Sequence, residues 1–390
     1  MITQKEIIPY RIYQARVSRG LSMPELAELI EVSKQAVSQY ETGKSKPSEG
    51  TLNRIADVLR YSPDFFRKPL LANTSASSGI FFRSKKTAKA KDLKAAEVKL
   101  EILQEINSYL SQYIDFPKVK FPKADYDYHE IIPIGNDEIE AYAQTLRKFW
   151  NLGNGPIDNL INVVQKNGIV ISSSHFNLGK LDGLSEWSNN TPTIFMSRDK
   201  DTNCRIRFGI AHELGHLLMH AGNIPPEDIL NKTIHSKLED EANRFAGAFL
   251  LPAESFGGDV FSSSIDHFIQ LKAKWKVSIA AMIYRCQSLN ILTVNQIKYL
   301  NDQLTYLHYR QHEPLDSEMP IEQPFAHKQA VNLLLEYNII QPLDFVRAIG
   351  CTASELEDYC CLPKGTLSQT NSDNIIQLRS TPKKTIHTVG

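Results

Sequence analysis

The chain has 390 residues, enough for two or three domains that each bury a core. Acidic and basic residues balance at 44 each, so the overall charge does not indicate a polyanionic partner. The five cysteines are scattered without a Cys-x-x-Cys pair, which excludes a disulfide framework or a thiolate zinc site as the organising feature. A signal-peptide pattern and a membrane-length apolar run are both missing, so we expect a cytoplasmic protein with no membrane partner.

Residues 8–68 are predicted to form short helices separated by tight turns. Ser22 and Glu25 form a capping-box pattern at the start of the second helix. Ser33 is the expected cap of the third helix, and Ser48 opens the fourth. Four apolar residues of the second helix are predicted to face inward: Leu26, Ala27, Leu29 and Ile30.

Two helices joined by a short turn, the second with a polar outer face, are typical of a helix-turn-helix. Amide and hydroxyl groups of the second of these helices would read base edges, and nearby lysines would contact phosphates. The candidate DNA-binding residues are Lys34, Gln35, Ser38, Gln39, Lys44 and Lys46. An ordinary small helical bundle with a polar surface is the alternative interpretation.

The run from Val32 to Lys44 resembles the Xre/Cro-type repressor domain, which implies binding to operator sequences in double-stranded DNA. That family usually places a DNA-contacting Gln near the start of its second helix, where this chain has Met23 and Pro24. Residues 1–70 carry eleven basic and eight acidic side chains, an excess of only three. We therefore expect that a homodimer or additional basic contacts would be needed for tight binding.

Residues 71–138 are predicted to be a linker and a long connecting helix. Residues 71–79 are small and polar, as in a flexible linker, and residues 81–91 are strongly basic. The basic stretch would add phosphate contacts or form a solvated helix face. Six apolar residues could bury one face of the helix that follows: Leu93, Val98, Leu100, Leu103, Ile106 and Leu110.

The segment 139–255 is predicted to be an α+β domain. Helices near 141–150 and 157–165 precede short strands at 169–172 and 193–196, and two further helices follow. We expect a small antiparallel sheet packed on the first of those two helices. Residues 192–196 are expected to form an edge strand that could pair with an extended substrate peptide, although strands of this kind are usually just core.

His212 and His216 are four residues apart in an apolar helical setting. This spacing places both imidazoles on one face, about 6 Å apart along the axis, where both can reach one metal ion. Glu213 is rotated by about 100° and can approach the open side of the metal, where a general base acts. Two core histidines on an amphipathic helix are the alternative.

A catalytic zinc site needs a third protein ligand and keeps its fourth position for water. The next helical segment has an apolar stripe, and Glu239 lies about 50° from its centre, Glu241 about 110° and Asp240 about 150°. Glu239 is therefore the expected third ligand. Asn243 could hold a ligating histidine through its other ring nitrogen. His220 is expected to be a helix-end or transition-state partner.

Three stretches of the chain resemble the ImmA/IrrE metallopeptidases: Arg207 to His220, Glu239 to Ala246, and Leu250–Pro252. The resemblance implies a gluzincin-like Zn²⁺ site with His212, His216 and Glu239 as ligands and Glu213 as base. It also implies a protease that cleaves or inactivates a transcriptional repressor.

The rest of the chain is predicted to be helical up to residue 370, with a mobile tail beyond. A helix beginning near Ser278 has some helix-turn-helix character, but its exposed side offers few base-reading groups, so we favour packing. The predicted fold is thus multidomain and mainly α. Its parts are a helix-turn-helix domain (1–70), a linker and connecting helix (71–138), an α+β metallopeptidase domain (139–255), a helical C-terminal region (256–370) and a tail (371–390).

The leading functional hypothesis is a DNA-binding transcriptional regulator with a regulated zinc endopeptidase domain. Its protein substrate would be a specific partner such as a repressor or an antitoxin. One alternative is a non-proteolytic transcription factor whose metal-containing domain senses a ligand or partner. Another places the chain in a toxin-antitoxin or phage-related module.

Overall fold

The computed structural model describes residues 6–71, 80–84, 90–122, 134–174, 181–188, 190–198, 202–224 and 231–368. Most of the predicted linker at 71–79 and the predicted tail at 371–390 lie outside these residues. So do parts of the predicted basic stretch at 81–91.

Four helices and a 3-10 turn form the N-terminal domain: α1 (Pro9–Ser18), α2 (Met23–Leu29), α3 (Lys34–Glu41), α4 (Glu49–Leu59) and the turn Pro63–Arg67. The predicted caps are confirmed, because the side chains of Ser22, Ser33 and Ser48 each accept a backbone N–H of the first helical turn. The inward orientation predicted for Leu29 is wrong. Its side chain is 54% exposed, since the short α2 buries only a narrow stripe.

The connecting segment forms a strand, β1 (Ile80–Ser84), and a long helix, α5 (Ala90–Leu110). Five of the six apolar residues predicted for the buried face of α5 are fully buried, and Leu93 is partly buried. The helix therefore has apolar partners along most of its length.

In the described residues of the central region, three helices, three strands and a π-helical turn precede the last long helix. These elements are α6 (Asn136–Phe149), α7 (Leu160–Lys166), β2 (Val170–Ser174), β3 (Leu181–Ser188), β4 (Thr191–Ser197), α8 (Asn203–Gly215), the π turn His216–His220 and α9 (Lys232–Leu250). The sheet order is β1-β3-β4-β2.

The prediction of a purely antiparallel sheet is wrong. β3 pairs antiparallel with both β1 and β4, but β2 pairs parallel with β4. In the hairpin β3–β4, it is β4 that lies next to β2, and β4 runs in the same direction as β2. β4 is consequently an inner strand, and the prediction that residues 192–196 form an edge strand is also wrong.

Seven helices make up the C-terminal region. They are α10 (Ala253–Asp259), α11 (Ile265–Trp275), α12 (Ile279–Ser288), α13 (Val294–Tyr306), α14 (Ala326–Glu336), α15 (Pro342–Ile349) and α16 (Ala353–Tyr359). Ser278 caps α12, whose Met282 and Ile283 are buried, in keeping with packing at this helix. None of the helices in the described part of the chain combines the length and apolarity that a membrane crossing needs.

The sheet lies between two apolar cores. Ile194 and Met196 of β4 point into a core shared with α6 to α9 and with α11 to α13. Phe195, between them, points to the other side, where α5, the N-terminal helices and α14 to α16 form the second core. Because successive strand residues face opposite sides, one strand contributes to both cores.

Buried ion pairs attach the N-terminal domain to the second core. Arg11 of α1 and Lys68 both bond Glu105 of α5, and the Arg11 side chain is fully buried. Arg19 bonds Glu355 of α16, with one Nη2 to Oε2 distance of 3.1 Å. The N-terminal domain is thus held against the connecting helix and the C-terminal helix α16.

Candidate metal centre and DNA-binding helix

Helix α8 presents its polar site residues to the interior. Its cap, Thr202, accepts the backbone N–H of Arg205. The helix then runs through an apolar stretch in which His212 and Glu213 are fully buried. Burial of an imidazole and a carboxylate is costly unless each has polar partners, so this stretch must serve more than packing.

Three candidate ligands converge at the end of α8. The Nε2 atoms of His212 and His216 are 3.0 Å apart, and Oε1 of Glu239 lies 3.1 Å from His216 Nε2. Oε2 of Glu239 is 3.6 Å from His212 Nε2. One ligating atom from each residue lies within 4.8 Å of the others, close enough for all three to reach one ion. The Glu239 side chain is 20% exposed while both histidines are at most 1% exposed, so the cluster opens to solvent on the glutamate side.

The chemistry of the donor set fits a cation. His212 Nδ1 lies 3.0 Å from Oδ1 of Asn243, an acceptor, so this ring nitrogen carries the proton and Nε2 of the neutral ring has a lone pair. That lone pair points toward a second imidazole and a carboxylate. Converging electron pairs repel one another unless a positive ion lies among them. Nitrogen and oxygen ligands of this kind suit zinc.

The protonation states also suit metal binding. Burial lowers the pKa of His216 to about 4, although the Glu239 carboxylate next to it opposes the shift. Burial would raise the pKa of Glu239, but the neighbouring His212 and His216 side chains outweigh that effect and hold this pKa well below its usual range. Near neutral pH, His216 is therefore neutral and Glu239 is ionised, the forms that bind a metal.

The carboxylate of Glu213, the residue after His212 in α8, lies against strand β3. Ser185 of β3 donates its hydroxyl to Oε2 of Glu213 at 2.6 Å. A Cβ atom on Gly183 would lie 3.3 Å from Oε1 of Glu213 and 2.8 Å from Sδ of Met196. The strand can approach the carboxylate this closely only because residue 183 has no side chain.

His220 lies behind His216 and is fully buried. Its Nδ1 atom is 2.8 Å from Nδ1 of His216, and its Nε2 atom is 2.9 Å from Oε2 of Glu241. The helix is π-helical here, with Ala221 N–H bonded to the His216 carbonyl, and π turns are frequent at functional sites. The sequence reasoning missed Glu241 and Ser185. Helical angles placed Glu241 away from the apolar stripe, and a serine within a strand has no distinguishing pattern.

The predicted DNA-contacting residues lie on and after α3. Lys34 and Gln35 are exposed at its start, and Ser38 and Gln39 are half-buried. Lys44 and Lys46 are exposed beyond its end. A two-oxygen ion pair between Arg16 of α1 and Glu41 of α3, at 2.6 and 2.8 Å, fixes the orientation of α3. Lys46 pairs with Glu6 and must exchange that partner to reach a phosphate.

Two family models match the chain. The helix-turn-helix model matches residues 12–66, and the model of the IrrE N-terminal-like domain matches residues 164–287. The chain is a mainly α, multidomain protein in which an Xre-type helix-turn-helix domain is joined to an ImmA/IrrE-like peptidase domain of α+β structure. The domain boundaries given above remain a prediction.

Curated relatives match through the N-terminal domain. A SPbeta prophage-derived HTH-type transcriptional regulator of Bacillus subtilis is 33% identical over 58 residues, which are 15% of this chain and 54% of that protein. An HTH-type transcriptional regulator of Rickettsia prowazekii is 39% identical over 59 residues, 15% of this chain and 45% of that protein. The chain spans about half the length of the curated relatives it matches.

A solved structure of Bacillus thuringiensis PlcR in complex with the peptide PapR7 and DNA aligns with 87% of this chain and 98% of that chain. The identity is 16% and the TM-score is 0.16. At this level the alignment supports no argument about the present chain.

Proposed function

We propose that this helix-turn-helix regulator is also a zinc-dependent endopeptidase that hydrolyses a peptide bond in one specific protein partner. The observation that carries the proposal is the convergence of His212, His216 and Glu239, with Glu213 buried next to His212 in the same helix. The open side of the cluster at Glu239 would admit the substrate. A repressor or an antitoxin is the proposed partner, and the prophage-derived relative of the DNA-binding domain supports a phage or toxin-antitoxin setting.

His212, His216 and Glu239 would hold the zinc ion. Bound there, zinc would supply a Lewis acid that polarises the peptide carbonyl and acidifies water. Glu213 would take a proton from the attacking water as its oxygen adds to the carbonyl carbon. Glu213 would then return the proton to the nitrogen of the leaving amine as the carbon–nitrogen bond breaks. The Ser185 hydroxyl bonds one oxygen of Glu213 and so orients the carboxylate for this proton transfer.

The helix-turn-helix domain would bind an operator with α3 in the major groove. Gln35, Ser38 and Gln39 would contact base edges, and Lys34, Lys44 and Lys46 would contact phosphates. The small positive excess of residues 1–70 favours binding as a homodimer, because two heads double the number of phosphate contacts.

The proposed proteolysis can be tested by mass spectrometry of cells that contain either the wild-type protein or the Glu213→Gln variant. Glutamine cannot take up the proton, so we expect zinc to be retained while cleavage falls by about 10²- to 10⁴-fold. His216→Ala should lose both zinc and cleavage. Any protein whose fragments disappear with Glu213→Gln is the substrate. Identical fragments in wild type and variant, with zinc bound, would contradict the proposal and support a non-proteolytic regulator.

The proposed role of α3 can be tested by measuring how protein variants bind operator DNA and its base-pair variants. Gln35→Ala should relax sequence preference at one or two base pairs, with a cost of about 1–3 kcal/mol for the preferred base. Lys44→Ala should weaken binding to all sequences alike and reduce the salt dependence of the affinity. If neither variant alters DNA binding, α3 is not the recognition helix.

A further inference from the structure

Three polar groups form a chain behind His216, outside the cluster of candidate ligands. His216 Nδ1 lies 2.8 Å from His220 Nδ1, and His220 Nε2 lies 2.9 Å from Glu241 Oε2. The other oxygen of Glu241 accepts the backbone N–H of Ile134 at 3.0 Å. His220 is fully buried and Glu241 is 8% exposed, so water does not readily replace any of these partners.

The positions of the protons in this chain follow from the carboxylate. An ionised Glu241 only accepts hydrogen bonds, so His220 Nε2 must carry a proton and donate it. A neutral imidazole has one N–H, so His220 Nδ1 must accept. His216 Nδ1 is then the donor of the bond between the two rings. The lone pair of His216 is therefore on Nε2, the atom directed at His212 and Glu239.

We propose that His220 and Glu241 are positioning residues that hold His216 in the one tautomer able to bind the metal. The inference rests on the zinc site proposed above. Asn243 has the same effect on His212 through one amide oxygen, whereas His216 is held through a second histidine that ends on a carboxylate. Hydrogen bonds of this kind fix the ring orientation of a ligating histidine and increase its basicity.

A glutamine at position 241 cannot satisfy both of its neighbours. If its oxygen accepts Ile134 N–H, its NH₂ group faces His220 Nε2 and forces that nitrogen to accept. His220 then carries its proton on Nδ1, and His216 is driven to carry its proton on Nε2, where the metal should bind. If the amide is reversed, two donors face each other at Ile134. The first arrangement opposes metal binding, the second destabilises the contact with Ile134, and neither removes any volume from the core.

Zinc affinity, measured by competition with a chromophoric chelator, tests this consequence. We expect Glu241→Gln to weaken binding of Zn²⁺ by about 10- to 100-fold. Asp240→Asn is the matched control, because it removes one negative charge from the preceding, exposed position, and its affinity should equal that of wild type. Equal affinities of Glu241→Gln and Asp240→Asn, at unchanged melting temperature, would overturn the proposal.

If Glu241→Gln fails to fold, two variants at position 220 test the same chain of hydrogen bonds. In His220→Asn the amide oxygen occupies the place of Nδ1 and can accept the His216 proton, whereas His220→Leu offers no acceptor. We expect His220→Asn to bind zinc within a few-fold of wild type and His220→Leu to lose about 10- to 100-fold. A general packing role would instead make both variants lose affinity alike, and that result would contradict the proposal.

The ring-nitrogen chemical shifts of ¹⁵N-histidine-labelled, metal-free protein report the tautomers directly. We expect His216 protonated on Nδ1 and His220 on Nε2, with both assignments disturbed by Glu241→Gln. His216 protonated on Nε2 in wild type would overturn the proposal. If wild type fails to bind zinc, the proposed zinc site itself is wrong. If wild type binds zinc and shows this tautomer but cleaves no protein, only the proposed peptidase activity fails.

Discussion

At the residue scale, the Glu213 carboxylate depends on strand β3 for its orientation. The hydroxyl of Ser185 reaches Oε2 at 2.6 Å, while Gly183 leaves the space that Oε1 occupies. Leu184, between them, points into the opposite core. The alternation of the strand therefore places two small residues over the carboxylate and one large residue away from it.

Ser185→Ala should lower the rate at which the protein cleaves the substrate identified with the Glu213→Gln variant. Without the hydroxyl, the carboxylate can rotate away from the attacking water, and misplacement of a catalytic group by about 1 Å can cost on the order of 10²-fold in rate. Zinc affinity should not change, because Ser185 bonds none of the three candidate ligands. Ser185→Thr keeps the hydroxyl and is the control. Full activity in Ser185→Ala would show that Glu213 is oriented by other contacts.

At the element scale, the site exists because α8 and α9 approach each other closely at Gly215. A Cβ atom there would lie 3.1 Å from Cδ1 of Phe245 and 3.3 Å from the Cα of Ala242. Both neighbours belong to α9, three and six residues after Glu239. The distance between the helices therefore sets how far the Glu239 carboxylate reaches toward the histidines.

Gly215→Ala should weaken zinc binding by separating these helices. Overpacking of this kind typically costs about 1–3 kcal/mol, which the higher helix propensity of alanine offsets by up to about 1 kcal/mol. Gly247→Ala on α9 is the matched control, because its Cβ would meet only Cδ of Arg285 at an ordinary 3.8 Å. Chelator competition and thermal melting should show loss of affinity in the first variant and none in the second. Equal zinc affinities would contradict the role of helix spacing.

At the scale of the whole molecule, the DNA-binding head and the end of the chain share one core. Arg19 of the head bonds Glu355 at the start of α16, and Ser62 donates its backbone N–H to the carbonyl of Gly350 at 3.2 Å. Val331 and Phe345, two buried residues of the C-terminal helices, belong to the same apolar cluster as Leu52 of α4. The C-terminal helices are therefore packed directly against the DNA-binding head.

The Arg19–Glu355 pair predicts a pH dependence of stability. Burial raises the pKa of Glu355, but the hydrogen bond from Arg19 outweighs it and lowers this pKa below the usual 4.5. A carboxyl whose pKa is lower in the folded state adds stability above its unfolded value and loses it as the pH falls through the folded value. Glu355→Gln should thus be less stable at neutral pH, by roughly 1 kcal/mol or less, and lose less stability on acidification.

Urea unfolding between about pH 3 and pH 7 measures this difference. Glu336→Gln, at an exposed position of α14, is the control and should follow the wild-type curve. Parallel curves for Glu355→Gln and wild type would show that the pair contributes nothing to stability.

The local features of this protein could be predicted from its amino-acid sequence. Helix caps, the buried face of α5 and the four-residue spacing of His212 and His216 depend only on side-chain type and helical period, which are properties of neighbouring residues. Helical angles also singled out Glu239 as the candidate third ligand, because they separate it from the neighbouring acids.

The contacts between elements that are distant in the chain became visible only in the three-dimensional structure. Periodicity within α9 placed Glu241 outside the buried stripe, yet the π turn and the segment at Ile134 cover that flank and bury it. Ser185 gains its partner from an α8 residue 28 positions later. Strand β4 lies inside the sheet because it pairs with β3 on one side and with β2 on the other. No local sequence pattern encodes this order of strands. Contacts of this kind depend on how whole elements pack, and a residue's own neighbours along the chain carry no signal of them.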